Sequence, residues 1–200
     1  MSKSNFTRRG VMKTGAAAGA ALTLPTYLRA DGHAGFTNAP GDSEVVLGFN
    51  VPQSGPYADE GADELRAYEL AVEHINGGGD GGMLSTFSSK VLDGTGILGR
   101  EVKYVTGDTQ TKSDAARASA RSMIEKDGAI MITGGSSSGV AVAVQALCQQ
   151  AGIIFMAGLT HSNDTTGKDR NAHGFRHSFN SSITVAPLST HVAAQPGPAR

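Results

Sequence analysis

Between residues 45 and 180 short apolar runs alternate with longer stretches of helical period. Residues 45–51 form one continuous apolar run of strand length. From 60 to 76 the period is helical, with Leu65, Tyr68, Val72 and Ile75 on one face and Ala71 beside them. Gly77 follows as a stop, because glycine enters the left-handed region at little cost. Residues 77–99 are rich in Gly and Ser, lack a clear period, and read as a surface excursion with a short element near 83–91. Alternation over 100–106 predicts a second strand. Thr111 is placed to cap the next helix, with Asp114 three positions on as a capping-box acid and Ala116, Ala120, Met123 and Ile124 turned inward. Asp127-Gly128 ends that helix, and 129–133 is a third apolar strand. A tight turn, Gly134-Gly135-Ser136-Ser137-Ser138-Gly139, leads into a helix over 140–151 with Val140, Val144, Leu147, Cys148 and Ala151 on one stripe. Gly152 stops it, 153–156 is a fourth strand, 157–173 a polar loop, and 174–178 the start of a fifth strand. Beyond about Asn180 both periods fade, and residues 181–200 read as an irregular tail.

Fully apolar strands alternating with helices predict a parallel sheet covered on both faces, an α/β doubly wound, Rossmann-like lobe over 45–180. In such sheets ligands lie beyond the carboxyl ends of the strands. The segments that matter for function are therefore those following Val51, Thr106, Thr133 and Met156.

Charge separates a leading segment from this lobe. Residues 1–34 carry five basic groups, Lys3, Arg8, Arg9, Lys13 and Arg29, against Asp31 alone. Thr7-Arg8-Arg9-Gly10-Val11-Met12-Lys13 is followed by a mild run of Gly, Ala and Leu, the layout of a secretory signal that resembles the twin-arginine type. Cleavage fits after Ala30 or after Ala34, and residues 35–44, rich in Gly, Pro and Asn, read as a linker. The remaining 166 residues hold 12 basic and 17 acidic groups, so nothing in the balance favours nucleic acid as a partner. The single cysteine, Cys148, excludes a disulfide framework and a multi-cysteine metal site, and its place on an apolar stripe marks it as core. No apolar run is long enough for a settled membrane span.

Three strand exits carry polar chemistry. At 134–139 three serines stand where a strand becomes a helix, so hydroxyls and the free amides of the first helical turn converge on one point suited to a carboxylate or other small anion. Simple capping by Ser137 or Ser138 is the plainer alternative. Pro52-Gln53-Ser54-Gly55-Pro56-Tyr57 forms a rigid turn that would hold Tyr57 over the sheet edge as the wall of a pocket. Ala157-Gly158-Leu159-Thr160-His161-Ser162-Asn163 offers backbone groups at Gly158 and the Thr160 hydroxyl beside the serines.

The order of these pieces resembles the amino-terminal lobe of the solute-binding proteins of ABC importers, in the branched-chain amino-acid/amide group with the leucine-binding-protein, type I periplasmic fold. The likeness rests on Gly48-Phe49-Asn50-Val51-Pro52-Gln53-Ser54-Gly55-Pro56 with Gly61, the run from Glu69 to Gly78, Gly96-Ile97-Leu98-Gly99-Arg100, Gly107-Asp108-Thr109-Gln110, the serine turn, and Gly174-Phe175-Arg176. It implies a non-enzymatic, periplasmic protein that captures a small amino acid, amide or related polar solute, needs no cofactor, and delivers its load to a membrane permease. Carried over residue by residue, Ser136 or Ser137 would hold a carboxylate, Gly158 and Thr160 the ammonium and carboxylate, and Tyr57 or Glu60 would flank the ligand. Glu60 stands where the family can place an aromatic ring. The resemblance also implies a second lobe, bearing the carboxylate that answers a ligand ammonium, so the chain reads as a truncated form with impaired binding.

Two other chemistries fit parts of the pattern. Gly135-Ser136-Ser137-Ser138-Gly139 matches the Gly-x-Ser-x-Gly elbow of α/β-hydrolases, with Ser137 as nucleophile, Asp164 or Asp169 as acid, and His173, His177 or His191 as base. No oxyanion loop of the His-Gly-Gly-Gly type precedes it. His161, Asp164, His173 and His177 could meet around a metal, but no helix fixes their spacing. Dinucleotide and phosphate loops are absent from the sequence.

Overall fold

The computed structural model describes residues 38–41, 43–77 and 96–195. The signal-like segment and the short element expected near 83–91 lie outside them. Five strands, β1 (Glu44–Val51), β2 (Glu101–Asp108), β3 (Met131–Gly134), β4 (Ile154–Ala157) and β5 (Gly174–Arg176), form one sheet in the order β2-β1-β3-β4-β5. Every neighbouring pair is parallel, in keeping with the apolar runs of β1, β3 and β4 and the helical crossovers between strands. Helices α1 (Ala58–Ile75), α2 (Ser113–Glu125) and α3 (Ser138–Ala151) make the crossovers. The α/β doubly wound class is observed.

The pleat of β1 divides the core. Val45 and Phe49, with partly buried Leu47, face α1, where they meet Val72, Leu65, Tyr68 and Ile75. Phe49 lies against Tyr68 on one side and Tyr104 on the other, at centroid distances of 4.9 and 5.0 Å. On the opposite face Ile132, Phe155 and Ala157 pack against Ala116, Ala120 and Met123 of α2 and Val140, Val144 and Leu147 of α3. Gly48 belongs to this side, and a Cβ there would strike Ile132 and Met123. Cys148 is buried among these groups, and loss of solvation pushes its thiol up to about 12. It is an inert core residue.

Strand order reverses between β1 and β3, since the chain steps from β1 outward to β2 and then back across to β3. That reversal opens a crevice at the carboxyl edge of the sheet. The backbones are welded beneath it: Gly134 has φ +124°, and an added Cβ would lie 2.3 Å from the Asn50 carbonyl oxygen. The Asn50 side chain donates to the Ala116 carbonyl at 2.9 Å, tying the same point to α2.

Two local expectations fail. Thr111 does not cap α2: its φ of +57° places it in the left-handed region, Lys112 takes the cap position without a side-chain bond, and Asp114 pairs with Arg117 instead. Residues 181–194, expected to be irregular, form a helix, α4 (Ser181–Ala194). The Asn180 side chain accepts from the Ile183 amide at 3.0 Å, which starts it. Ile183, Val185, Leu188 and Val192 are all exposed and scattered around its axis, so the sequence shows no buried stripe. Within 35–44, Asn38 donates to the carbonyls of Ile124 and Ala129, and β1 already begins at Glu44. Among the described residues no helix is long and apolar enough to cross a membrane.

Candidate functional site

The first wall of the crevice is the turn after β1. Ala58 donates to the Gly55 carbonyl at 3.2 Å, and Gly55 has φ +88°, which favours glycine there. Asp108, the last residue of β2, holds this turn from the side. Its carboxylate accepts from the Gln53 and Ser54 amides at 2.9 and 3.2 Å, the Ser54 hydroxyl at 2.6 Å and the Gln110 amide at 2.8 Å. Burial pushes the Asp108 pKa up, but the Ser54 hydroxyl and the three amides together outweigh it, and the group lies below the ordinary carboxylate value. A depressed folded pKa gives stability that is present above the unfolded value of about 3.9 and is lost as pH falls through the folded one. Asp108→Asn should therefore lower the urea midpoint at pH 7 and converge with the parent chain near pH 2. Equal midpoints at pH 7 would show that the clamp contributes nothing.

The second wall is the β3 exit and the start of α3. Ser137 occupies the N-cap position with extended backbone, φ −83° and ψ 128°, but its side chain makes no capping bond. The plain capping alternative is thus not realised, and the first amides of α3 have no side-chain oxygen to satisfy them. Ser138 accepts from the Thr160 hydroxyl at 2.9 Å and from the Ser162 amide at 3.3 Å, which leaves its own proton to donate. Thr160 is fully buried and stands behind Ser138. Its carbonyl accepts from Arg176 at 2.9 Å.

The third group comes from α1, and sequence reasoning missed it. Glu64 is only 6% exposed. One carboxylate oxygen accepts from the Tyr68 hydroxyl at 2.5 Å and the other from Ser136 at 2.9 Å. Burial, and next the Glu64 carboxylate, raise the Tyr68 pKa far above that of a free tyrosine, so the phenol keeps its proton and donates. Gly158, after β4, leans on this carboxylate: an ideal Cβ there would sit 1.9 Å from Glu64 Oε1 and 2.8 Å from the Tyr68 hydroxyl. The Gly158 amide donates to the Gly134 carbonyl at 2.9 Å, and its carbonyl accepts from Ser178 at 3.1 Å. The signal for Glu64 was present, because it lies one helical turn before the inward Tyr68 on the same face.

Of the residues singled out in the sequence, the fold thus gathers Ser136 with Gly158 through Glu64, and Thr160 with Ser138. Ser137 stands between them at the head of α3. Tyr57, 40% exposed, ends the first wall, and Glu60 is exposed in the first turn of α1. Neither side chain bonds to the serine turn. No histidine hydrogen-bonds Ser137 among the described residues: His177 Nδ1 is 3.0 Å from the Ala157 carbonyl, and His161 stacks on Phe179. Nor does any group of three or more His, Cys, Asp and Glu converge on a metal-sized point among these residues. Two recesses lie away from the strand exits, a groove of about 510 Å³ between α2 and α3 and another beside α4. The crevice is distinguished from them by its donors and acceptors.

Residues 44–200 match the family model described as periplasmic binding protein. A Leu/Ile/Val-binding protein homolog from Brucella abortus is 31% identical over 117 residues, which is 58% of this chain and 25% of that one. Among solved structures, the branched-chain amino acid transporter substrate-binding protein LivJ from Streptococcus pneumoniae, in complex with isoleucine, superposes with a TM-score of 0.62 at 21% identity. That alignment covers 76% of this chain and 39% of LivJ. A solute-binding protein of an ABC transporter from Rhodopseudomonas palustris, in complex with 3,4-dihydroxybenzoic acid, gives a TM-score of 0.58 at 19% identity, over 76% of this chain and 37% of its own. The chain therefore spans about a quarter of the length of the curated relatives it matches and under two fifths of these solved ones. All three are described as binding proteins, two of them as components of transporters.

Proposed function

Because the chain belongs to the periplasmic binding protein family, we propose that it is the solute-binding component of an ABC importer, holding a small amino acid, amide or related polar solute in the crevice between β1 and β3. The observation that carries this reading is the uncapped start of α3 at the point where strand order reverses. Amides at a helix start attract an anion, and Ser137 and Ser138 add hydroxyl donors beside them. Ser137 and the α3 amides take the solute carboxylate, Ser136 and the Gly158 backbone line its other side, and Thr160 fixes Ser138 from behind. Tyr57 and Glu60 flank the entrance. A solute without the anion leaves these donors unpaired, which is the source of selectivity. A second surface opposite the sheet edge closes over the solute, and a membrane permease receives it.

Isothermal calorimetry of the 200-residue chain against amino acids, amides and carboxylates tests the reading. At least one class should bind, and Ser137→Ala should weaken it roughly 10-fold, the effect of one lost hydrogen bond to a charged group. Flat titrations across all three classes would refute it.

Residues 1–34 act in this reading as a twin-arginine export signal that delivers the folded protein to the periplasm. Replacing Arg8 and Arg9 by lysine should retain the protein in the cytoplasmic fraction. Undiminished periplasmic recovery would rule that route out.

A further inference from the structure

Resting on the solute-binding reading, we infer that Glu64 is the counter-charge for an ammonium group on the solute, so that this lobe itself reads the positive end of its ligand. The inference starts from a count of protons. The Ser136 hydroxyl has one proton, and it goes to Glu64 Oε2 at 2.9 Å. Tyr68 gives its proton to Oε1 at 2.5 Å. Ser136, read from sequence as an anion donor, therefore turns only lone pairs outward, and a group docking on it must itself donate. The one proton of Thr133 has two acceptors within reach, the Met156 carbonyl at 3.0 Å and the Tyr68 hydroxyl oxygen at 3.3 Å, and neither is Glu64.

The carboxylate is buried with neutral partners only. The ion pairs of the described residues are Arg66–Asp63, Lys103–Glu44, Arg117–Asp114 and Lys168–Asp164, and none includes Glu64. A buried carboxylate is costly unless a cation answers it. Two hydroxyls fill two of roughly four lone-pair positions on its oxygens. The chain also leaves room for it: Gly158 is the residue whose Cβ would occupy the carboxylate's place. Donors at the head of α3 and acceptors at Ser136 and its partner Glu64 thus meet at the exit of β3. That division suits a solute whose negative and positive groups are close together. The solved relatives show that this fold accepts a solute with an ammonium group, isoleucine, and one without, 3,4-dihydroxybenzoic acid, so the choice must be made by side chains.

Matched probes separate the two ends of the ligand. Calorimetry of the full chain would compare leucine with 3-methylbutylamine and 4-methylpentanoate, and phenylalanine with 2-phenylethylamine and 3-phenylpropanoate. The expected result is that in at least one set the amino acid binds at least ~10-fold more tightly than the carboxylate that lacks its ammonium group. Glu64→Gln should lower affinity for amino acid and amine about 10- to 100-fold and affect the carboxylate by a much smaller factor. Glu64→Asp, which keeps the charge, should retain the preference for the amino acid over the carboxylate. Circular dichroism checks that both variants fold, and the preference of the unmodified chain stands as a measurement that needs no variant. A carboxylate bound as tightly as its amino acid, or affinities indifferent to Glu64→Gln, would overturn the role of Glu64 while leaving the solute-binding reading intact. No heat from any of the six compounds would count against both.

Discussion

Gly134→Ala should destabilise the protein strongly. With φ at +124°, this position lies where an L side chain is strained, at about 1–2 kcal/mol. The new Cβ would also stand 2.3 Å from the Asn50 carbonyl oxygen and 2.8 Å from its carbon. Both are backbone atoms of β1, so no side chain can swing aside. Relief requires β1 and β3 to part at the reversal of strand order, and overpacking of this kind costs roughly 1–3 kcal/mol more. A total near 3–4 kcal/mol is a large share of the ~5–15 kcal/mol that holds a domain together. Gly139→Ala is the internal control. It adds the same methyl group five residues on, in the first turn of α3, where nothing lies within 4 Å, and should be neutral or stabilising by up to ~1 kcal/mol. Urea unfolding of both variants checks the contrast. Equal midpoints for the two would remove the argument that the crevice is fixed by backbone contact.

Phe155→Ala should cost about 3–5 kcal/mol, because the ring is 1% exposed and central to the larger of the two cores. It sits in β4 between β3 and β5, with α3 packed over it, so the void would be bordered by elements on three sides. Phe175 provides the comparison. It belongs to β5 but is 48% exposed, and truncating it should cost well under half as much. A chemical denaturation series reads both, and near-equal losses would mean that the core does not run through β4 as described.

The physics of period made most of the fold legible, and its failures are specific. The inner strands β1, β3 and β4 lacked polar alternation because both their faces are covered, the outer β2 alternated and is largely exposed, and each of the first three helices declared one apolar stripe. β2 runs to Asp108 rather than Thr106 because Asn50 and Val51 still pair with Gly107 and Asp108, a long-range fact with no local sign. Thr111 has the right chemistry for a cap but the wrong backbone, and only the turn at 109–112 decides that. α4 escaped notice because its polar and apolar residues are mixed around the axis and form no stripe. At the site, strand exits predicted where to look, but not which way protons point. Ser136 and Thr160 were read as free hydroxyls, and both are engaged by neighbours from distant segments. Glu64 was visible one turn before Tyr68, yet an acid on an inward face reads as exposed until its partners are known.

The grip of Asp108 has a consequence for how the entrance can move. One carboxylate fastens Gln53 and Ser54 of the first loop to Gln110 of the second, and Gln110 and Thr111 have φ of +50° and +57°. Left-handed backbone at non-glycine residues is uphill by about 1–2 kcal/mol each, so the second loop is loaded like a bent spring whose catch is also the anchor of the first. The loop bearing Tyr57 and its neighbour are therefore coupled mechanically: releasing one lets the other relax.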